Sequence, residues 1–244
     1  MSKTSFEIER EKSIMEAGKD KKLKECGLDF IIKSGKHRYV YNFSWMGRPF
    51  IQLPQDIVQM QEIMWTVRPD LVIDVGIAHG GSVIFYASMM EMMGIDGEVL
   101  GVDIEIRPHN RDAIATHPMN KRITMLEGSS VDPEIIRKVH FFAKNHLKIL
   151  VCLDSNHTHD HVLAELRAFA PLVTKGSYCV VFDTGIEDVP PDSFPDRPWG
   201  RGNSPKTAVN AYLKTTGRFV VDEMIDAKLV LSAAPGGYLL CVED

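Results

Sequence analysis

A strand-like apolar run followed by a glycine-rich turn, at residues 71–87, constrains the fold more than any other part of the sequence. Residues 71–75 are apolar apart from one acid, and three glycines interrupt the run between positions 76 and 81. Apolar residues then return with helical spacing. This pattern predicts a buried strand, a tight turn and a helix, which together form half of a nucleotide-binding α/β unit.

The spacing of these glycines distinguishes between two kinds of cofactor. A dinucleotide fingerprint is G-x-G-x-x-G, whose second glycine lets the backbone approach a pyrophosphate. Ala78 replaces that glycine here, and the pattern Asp74-x-Gly76-x-Ala78-x-Gly80 instead resembles motif I of class I S-adenosylmethionine (SAM) methyltransferases. Because SAM has no phosphate, a methyl group at this point does less harm. The alternative is an ordinary glycine-rich connection between a strand and a helix.

Length and composition limit the classes of protein to consider. The chain has 244 residues, 44% of them hydrophobic and 25% charged, with a formal net charge of −5, which suits one α/β domain with additions. Without a basic surplus, neither nucleic acid nor a membrane is an expected partner. Four separated cysteines without a C-x-x-C pair are expected to be reduced thiols. The charged N-terminus and the lack of a long apolar run favour a cytoplasmic location.

The chain divides into two parts. Residues 1–55 are predicted to be an N-terminal extension, helical at first and then aromatic around positions 38–50, which forms a cap or a dimer arm. Residues 56–244 are predicted to be the main domain. Because the extension could be a dimer arm, we expect a homo-oligomer. The proline- and glycine-rich segment 185–205 lacks periodicity, which is typical of a lid or binding loop.

Strands alternate with helices along the main domain. Five strands are predicted at 71–75, 99–103, 122–127, 148–153 and 177–182, and two more at 218–222 and 229–232. This alternation predicts an α/β fold: a Rossmann-like, doubly wound, mostly parallel sheet with ligands at the carboxyl ends of its strands.

Acidic residues lie at four of these strand ends: Asp74, Asp103, Asp154 and Asp183. Asp103 ends the second strand, where Rossmann-like folds hold ribose hydroxyls, since a carboxylate can accept from both. After the third strand, Ser129 and Ser130 form a small-residue loop that would let the backbone face an adenine. The same loop is also a plain helix cap.

The fourth and fifth strands suggest a metal site. Asp154 and Asp183 are one strand-helix-strand unit apart, so their carboxylates should be neighbours, as Mg²⁺ requires. Candidates for a third ligand are Asn156, Thr184, Glu187 and Asp188. The alternative is that both acids form ion pairs with Arg197 or Arg201.

His157 is the candidate general base, because it lies three residues after Asp154 and could take a proton from a hydroxyl that a metal has acidified. His159 and His161 are weaker candidates. The run from 157 to 161 also approaches the zinc pattern H-x-H-x-D-H, but one residue is missing and the predicted α/β unit does not fit that fold.

These motifs together carry a resemblance to known families. Asp154, His157 and Asp183 look like the layout of metal-dependent O-methyltransferases of the catechol and macrolide-sugar types. The longer run from 74 to 183, including residues 106–111 and 153–157, resembles the cephalosporin hydroxylase / rhamnosyl O-methyltransferase family of class I SAM-dependent methyltransferases, over about residues 35–242.

The resemblance implies a seven-stranded sheet, SAM and Mg²⁺ as cofactors, and roles for particular residues. Asp154 and Asp183 would bind Mg²⁺, and His157 would be the base. Candidate cofactor contacts are Asp74, Gly76, Ala78, Gly80, Gly81, Ser82, Asp103, Ser129, Ser130 and Asp154. Where relatives often have paired acids, this chain has a serine and a threonine after its two metal aspartates, which shifts the third ligand to Thr184, Glu187 or water.

The predicted activity is SAM-dependent O-methylation of a sugar or of a glycosylated or polyketide-like small molecule. Segment 185–205 and the aromatic residues near position 41 would close over the acceptor. Two alternatives stay open: a metal-dependent oxygenase, for which a 2-His-1-carboxylate triad is not apparent, and a non-catalytic SAM-binding partner.

Overall fold

A seven-stranded sheet forms the centre of the molecule in the computed structural model, which describes residues 3–243. The strands are β1 (Ser44–Trp45), β2 (Arg48–Pro49), β3 (Leu71–Val75), β4 (Glu98–Asp103), β5 (Ile123–Glu127), β6 (Ile149–Leu153), β7 (Tyr178–Val181), β8 (Phe219–Val221) and β9 (Tyr238–Cys241). The central sheet has the order β5-β4-β3-β6-β7-β9-β8, while β1 and β2 form a separate hairpin. In this sheet, as described for residues 3–243, β9 runs in the opposite direction to the other six strands. The predicted mostly parallel, doubly wound sheet is confirmed.

The two central strands, β3 and β6, are apolar except at Asp74. Every residue of β3 and of β6 is buried, because helices cover both faces of the sheet. Val72 and Leu150 face one helical layer, whereas Ile73 and Val151 face the other. Alternate residues of one strand thus serve two cores.

Helices flank the sheet on both sides. They are α1 (Ser5–Lys19), α2 (Lys21–Gly35), α3 (Pro54–Val67), α4 (Gly81–Met92), α5 (Pro108–Ala115), α6 (Pro133–Ala143), α7 (His159–Phe169), α8 (Pro205–Leu213) and α9 (Glu223–Lys228). Core side chains of α3, α4 and α5 pack on one face, and those of α6, α7 and α8 on the other. A proline at the start of α3, α5, α6 and α8 fixes the backbone for the first turn. None of the helices within residues 3–243 is both long and apolar enough to cross a lipid bilayer.

The N-terminal helices pack against the end of the chain. A side chain at Gly18 would collide with Ala227 of α9, and one at Gly27 with the carbonyl oxygen of Val230. The predicted strand at 229–232 is wrong, since this segment is irregular and follows α9. Asp222 caps α9 by accepting from the backbone of Met224 and Ile225, and residues 229–232 belong to the connection between this helix and β9.

The aromatic segment before α3 packs on the domain. Nε1 of Trp45 donates to Ser88 Oγ of α4 at 2.8 Å, and its ring meets Phe85 edge-on at 4.9 Å. Tyr39 contacts Phe43 in the same geometry. Trp45 therefore holds the β1–β2 hairpin against α4, and this contact does not place it as a cover for an acceptor.

Candidate active site

The register of the parallel strands brings several acidic residues to one edge of the sheet. Val75 pairs with Val102 on one side and with Leu153 on the other, and Leu153 pairs with Val181. Asp103 ends β4 and Asp154 directly follows β6, while Asp183 lies two residues beyond β7. Their backbones thus end at one rim, as expected for strands that run in the same direction.

Asp154, His157 and Asp183 form the central cluster of this rim. One ligand atom from each lies within 4.8 Å of the other two, and Nε2 of His157 is 3.3 Å from Oδ2 of Asp183. All three side chains are partly buried. The loop between β6 and α7 supplies the first two residues, and Asp183 adopts a left-handed backbone (φ 56°) at the end of β7. Two carboxylates and one imidazole thus converge from neighbouring strand ends.

The cluster lacks compensating positive charge. Burial, followed by the nearby charge of Asp183, raises the pKa of the Asp154 carboxyl well above its ordinary value. Within residues 3–243, no lysine or arginine lies within 4.0 Å of either carboxylate. Arg197 stacks over Trp199 and Arg201 donates to the carbonyl of Glu187, so the alternative ion pairs are not formed. Two close carboxylates, of which Asp154 is desolvated, are a donor set that suits a hard divalent cation.

Thr184 is placed differently from its predicted role as a metal ligand. Its side chain is fully buried, and its hydroxyl donates to the carbonyl oxygen of Pro235 at 3.0 Å. The other candidates are also engaged: Glu187 accepts from Ser204, and Asp188 pairs with Lys206. Asn156 Oδ1 accepts from the N–H and the hydroxyl of Thr158. The third group beside the two aspartates is therefore His157, the predicted base.

The two other histidines of the run have separate partners. His159 Nδ1 is 2.8 Å from Thr207 Oγ1, and His161 Nε2 is 3.2 Å from Oε1 of Glu165. Among residues 3–243, neither joins the cluster of Asp154 and Asp183. The structure thus assembles neither the zinc pattern nor a 2-His-1-carboxylate triad at this rim.

The glycine-rich turn lies beside Asp103. Ala78 has a left-handed backbone (φ 46°), a conformation that costs an alanine about 1 kcal/mol or more. Its N–H donates to Asp103 Oδ2 at 2.9 Å, and Glu105 N–H donates to Oδ1 at 3.2 Å. These backbone donors fix the carboxylate, which lines a cavity of about 280 Å³. The cavity is lined by Ala78, His79, Asp103, Ile104, Glu105, Arg107 and Asn110.

The glycines of the turn make room for protein atoms. An ideal Cβ at Gly76, where φ is 111°, would lie 2.2 Å from the carbonyl oxygen of Asp154. At Gly80 it would meet Ile114, and at Gly81 it would lie 2.3 Å from the carbonyl oxygen of Pro49. Gly76 therefore lets the first turn pack against the loop that bears the candidate metal ligand.

The remaining candidate cofactor residues lie near this turn or in the next loop. Asp74 is buried and accepts from Ser82 Oγ at 2.6 Å, and burial raises its pKa to about 7. Ser129 lies in the loop between β5 and α6. Ser130 is buried there, and its hydroxyl donates to Glu165 Oε1 at 2.5 Å.

Two further groups support the site although sequence patterns did not indicate them. Arg48 of β2 donates to the carbonyl oxygen of His79 at 2.6 and 2.9 Å and to Asn110 Oδ1 at 2.8 Å. Glu165 of α7 is fully buried, and its Oε1 accepts from both Ser130 and Ser155 at 2.5 Å. An acid in the apolar stripe of α7 was a usable signal for Glu165, whereas Arg48 had none.

Fold and site together define a class. A doubly wound sheet of this order, with a glycine-rich first turn and polar side chains gathered at its carboxyl edge, is the fold of class I SAM-dependent methyltransferases. The chain belongs to the Rhamnosyl O-methyltransferase/CmcI family, whose model matches residues 37–242.

Individual relatives agree with this assignment. A rhamnosyl O-methyltransferase of Mycobacterium tuberculosis H37Rv is 33% identical over 218 residues, covering 84% of this chain and 82% of its own. Its counterpart in Mycobacterium leprae is 32% identical over 213 residues, covering 84% and 88%. Among solved structures, a CmcI apo structure has a TM-score of 0.59 at 17% identity, covering 84% of this chain and 78% of CmcI. A CmcI structure described as Mg-SAM has a TM-score of 0.58 at 18% identity, covering 83% and 78%.

Proposed function

We propose that this protein transfers the methyl group of SAM to a hydroxyl of a sugar or of a sugar-bearing small molecule. The observation that supports the proposal is the Asp154–His157–Asp183 cluster at the carboxyl edge of a sheet with this family's fold. The relatives described as rhamnosyl O-methyltransferases favour a deoxysugar hydroxyl as acceptor.

SAM would occupy the cavity beside the glycine-rich turn. The carboxylate of Asp103 is held there by two backbone donors and keeps acceptor capacity for ribose hydroxyls. The exposed side chain of Ile104 follows it and offers an apolar surface to a base. The CmcI structure described as Mg-SAM is consistent with this cofactor.

Asp154 and Asp183 would hold Mg²⁺, because their two hard oxygens are close and lack other cationic partners. A divalent cation bound there supplies a positive charge that lowers the pKa of an acceptor hydroxyl. His157 is a poorer ligand for so hard an ion, since imidazole suits transition metals better, and this leaves its ring available as a base.

His157 would take the proton of the acceptor hydroxyl. SAM would supply the methyl group: the acceptor oxygen would bond to the methyl carbon as the carbon–sulfur bond breaks, and the electrons of that bond would stay on sulfur to give S-adenosylhomocysteine (SAH). Positioning of the two reactants contributes much of the rate in such a displacement. Half-burial of the His157 ring limits the water that competes for it.

Calorimetry tests the cofactor. SAM and SAH should bind with heats that saturate at one site per chain, whereas NAD should give none. Binding of NAD without SAH would contradict the proposal.

Transfer to methyl α-L-rhamnopyranoside, followed as SAH formation, tests the chemistry. His157→Ala should lower kcat by about 100-fold or more, as for loss of a general base, with the SAH dissociation constant unchanged. His159→Ala is the matched control and should retain most of the activity. Removal of divalent ions with EDTA should abolish transfer, and Mg²⁺ should restore it. Full activity of His157→Ala would contradict the role of His157 as base. Full activity in EDTA would contradict the need for a divalent ion.

A further inference from the structure

Trp199 is the aromatic side chain in contact with the candidate base. Its ring meets the imidazole of His157 edge-on, with the ring centres 4.7 Å apart and the planes at 86°. It comes from the irregular segment between residues 188 and 204, far in sequence from His157. The contact therefore places one residue of this segment directly at the proposed reaction centre.

Hydrogen bonds fix the part of the segment that presents Trp199. Gly200 and Asn203 exchange two backbone hydrogen bonds of 3.0 Å. The Asn203 side chain donates to the carbonyl of Pro198 at 2.7 Å and accepts from His159 N–H of α7 at 2.8 Å. Trp199 thus belongs to a turn that is hydrogen-bonded to α7, the helix that follows His157.

A second set of hydrogen bonds attaches this turn to Glu187. The Glu187 carboxylate accepts from Gly202 N–H at 2.9 Å and from Ser204 Oγ at 2.6 Å. Because Asn203 bridges back to Pro198 and residues 202–204 are bonded to α7 and to Glu187, the turn that carries the indole is fixed without regular secondary structure around it. A wall that is already ordered needs little additional ordering when a ligand binds.

The surroundings of the indole indicate what it can bind. The guanidinium of Arg197 lies over the indole, 5.1 Å from the ring centre, and the imidazole of His157 meets the indole edge-on. The Trp199 residue as a whole is only partly buried. An aromatic face is electron-rich and attracts polarised C–H groups. A pyranose offers such C–H groups on one face and hydroxyls at its rim, so a sugar against this indole would direct a hydroxyl toward His157 and the two aspartates.

We propose that Trp199 is a specificity-determining residue that orients a pyranose acceptor beside His157. This inference rests on the proposed function and adds to it the surface against which the sugar ring would lie. Trp45 and Trp65 are the other tryptophans of the chain; the first packs on α4, and the second is 62% exposed on α3.

Kinetics with methyl α-L-rhamnopyranoside test the proposal. Trp199→Ala should lower kcat/KM for this sugar by about tenfold or more, mainly through KM, whereas Trp199→Phe should recover most of it. Trp65→Ala is the matched control and should behave as the wild type. The SAH dissociation constant should stay within twofold in all three variants. Equal kcat/KM in Trp199→Ala and Trp65→Ala would overturn the proposal, as would a parallel loss of SAH affinity.

Tryptophan fluorescence gives a readout that does not need turnover. In the presence of saturating SAH, the sugar should change the emission of the wild type but not that of Trp199→Phe. This result supports the role of Trp199 even if this sugar is not methylated, and an unchanged wild-type emission at high sugar concentration overturns it. Failure of the proposed function would show separately, as a wild-type protein that binds no SAH.

Discussion

Asp74 is a carboxyl group inside the strand that precedes the glycine-rich turn, where ionisation is unfavourable. It is 2% exposed, it accepts one hydrogen bond from Ser82, and burial raises its pKa from 3.8 to about 7. In the unfolded chain the group loses its proton at the lower pH. The stability that this group contributes is therefore complete below about pH 4 and is lost as the pH rises through about 7.

We predict that Asp74→Asn reduces the pH dependence of stability. One pKa unit corresponds to about 1.4 kcal/mol, so the wild type should lose about 4 kcal/mol through this group between pH 4 and 8. Asparagine keeps the shape and can still accept from Ser82, but it does not ionise. Urea unfolding of the ligand-free protein across this pH range measures the difference.

The exposed Asp96 gives the control, because Asp96→Asn should leave the slope of unfolding free energy against pH unchanged. Part of the pH dependence of the unfolding free energy should remain in every variant, since burial also raises the pKa of Asp56, to about 6. A slope in Asp74→Asn equal to that of the wild type would contradict the prediction.

At the level of elements, the sequence predicted the sheet because its strands are local patterns. An apolar run that ends in an acid, as at Asp154, is visible in a few residues, and the common direction of the strands then places the ends together. Neither Thr184 nor Trp199 could be placed in this way. The direction of the Thr184 hydroxyl depends on Pro235, and the position of Trp199 depends on hydrogen bonds of Asn203, so both depend on tertiary contacts.

The contacts of the β1–β2 hairpin with the glycine-rich turn could not be predicted from the sequence either. Its Arg48 reaches across 31 residues to the carbonyl of His79 and also contacts Asn110, which in turn donates to the carbonyl of Ala78 at 3.0 Å. These bonds hold two consecutive carbonyls of a turn that contains a left-handed alanine. No short motif identifies such a contact.

We predict that Arg48→Met weakens SAH binding. Hydrogen bonds to a charged group each contribute about 1.5–3 kcal/mol, and loss of this support should let the turn relax from the conformation that lines the cavity. The SAH dissociation constant, measured by calorimetry, should rise by about tenfold or more.

Arg68→Met is the matched control for this experiment. Arg68 also donates to a backbone carbonyl, that of Met93, but it lies on the surface at the end of α3. Its loss should leave SAH binding unchanged. If Arg48→Met bound SAH as tightly as Arg68→Met, the hairpin would have no part in shaping the glycine-rich turn for SAH binding.

At the level of the whole molecule, the N-terminal helices are incompletely covered. In the part of the chain from residue 3 to 243, α1 has no buried residue, and Gly27 is the only buried residue of α2. Phe6 and Ile8 are 70% and 58% exposed. Exposed apolar side chains grouped on one element are typical of a surface that another molecule covers.

We therefore predict a homo-oligomer in which α1 contributes to the interface between copies. Light scattering should give a mass that is a multiple of 27.4 kDa, and the double variant Phe6→Glu/Ile8→Glu should lower it. Leu147→Glu is the control, since Leu147 is 86% exposed but lies elsewhere, after α6, and its loss should leave the mass unchanged. Because the active-site cluster is built from one chain, dissociation should leave SAH binding intact. A monomeric wild type at tens of micromolar protein, or equal masses for the two charge variants, would show that α1 forms no interface between copies of this chain.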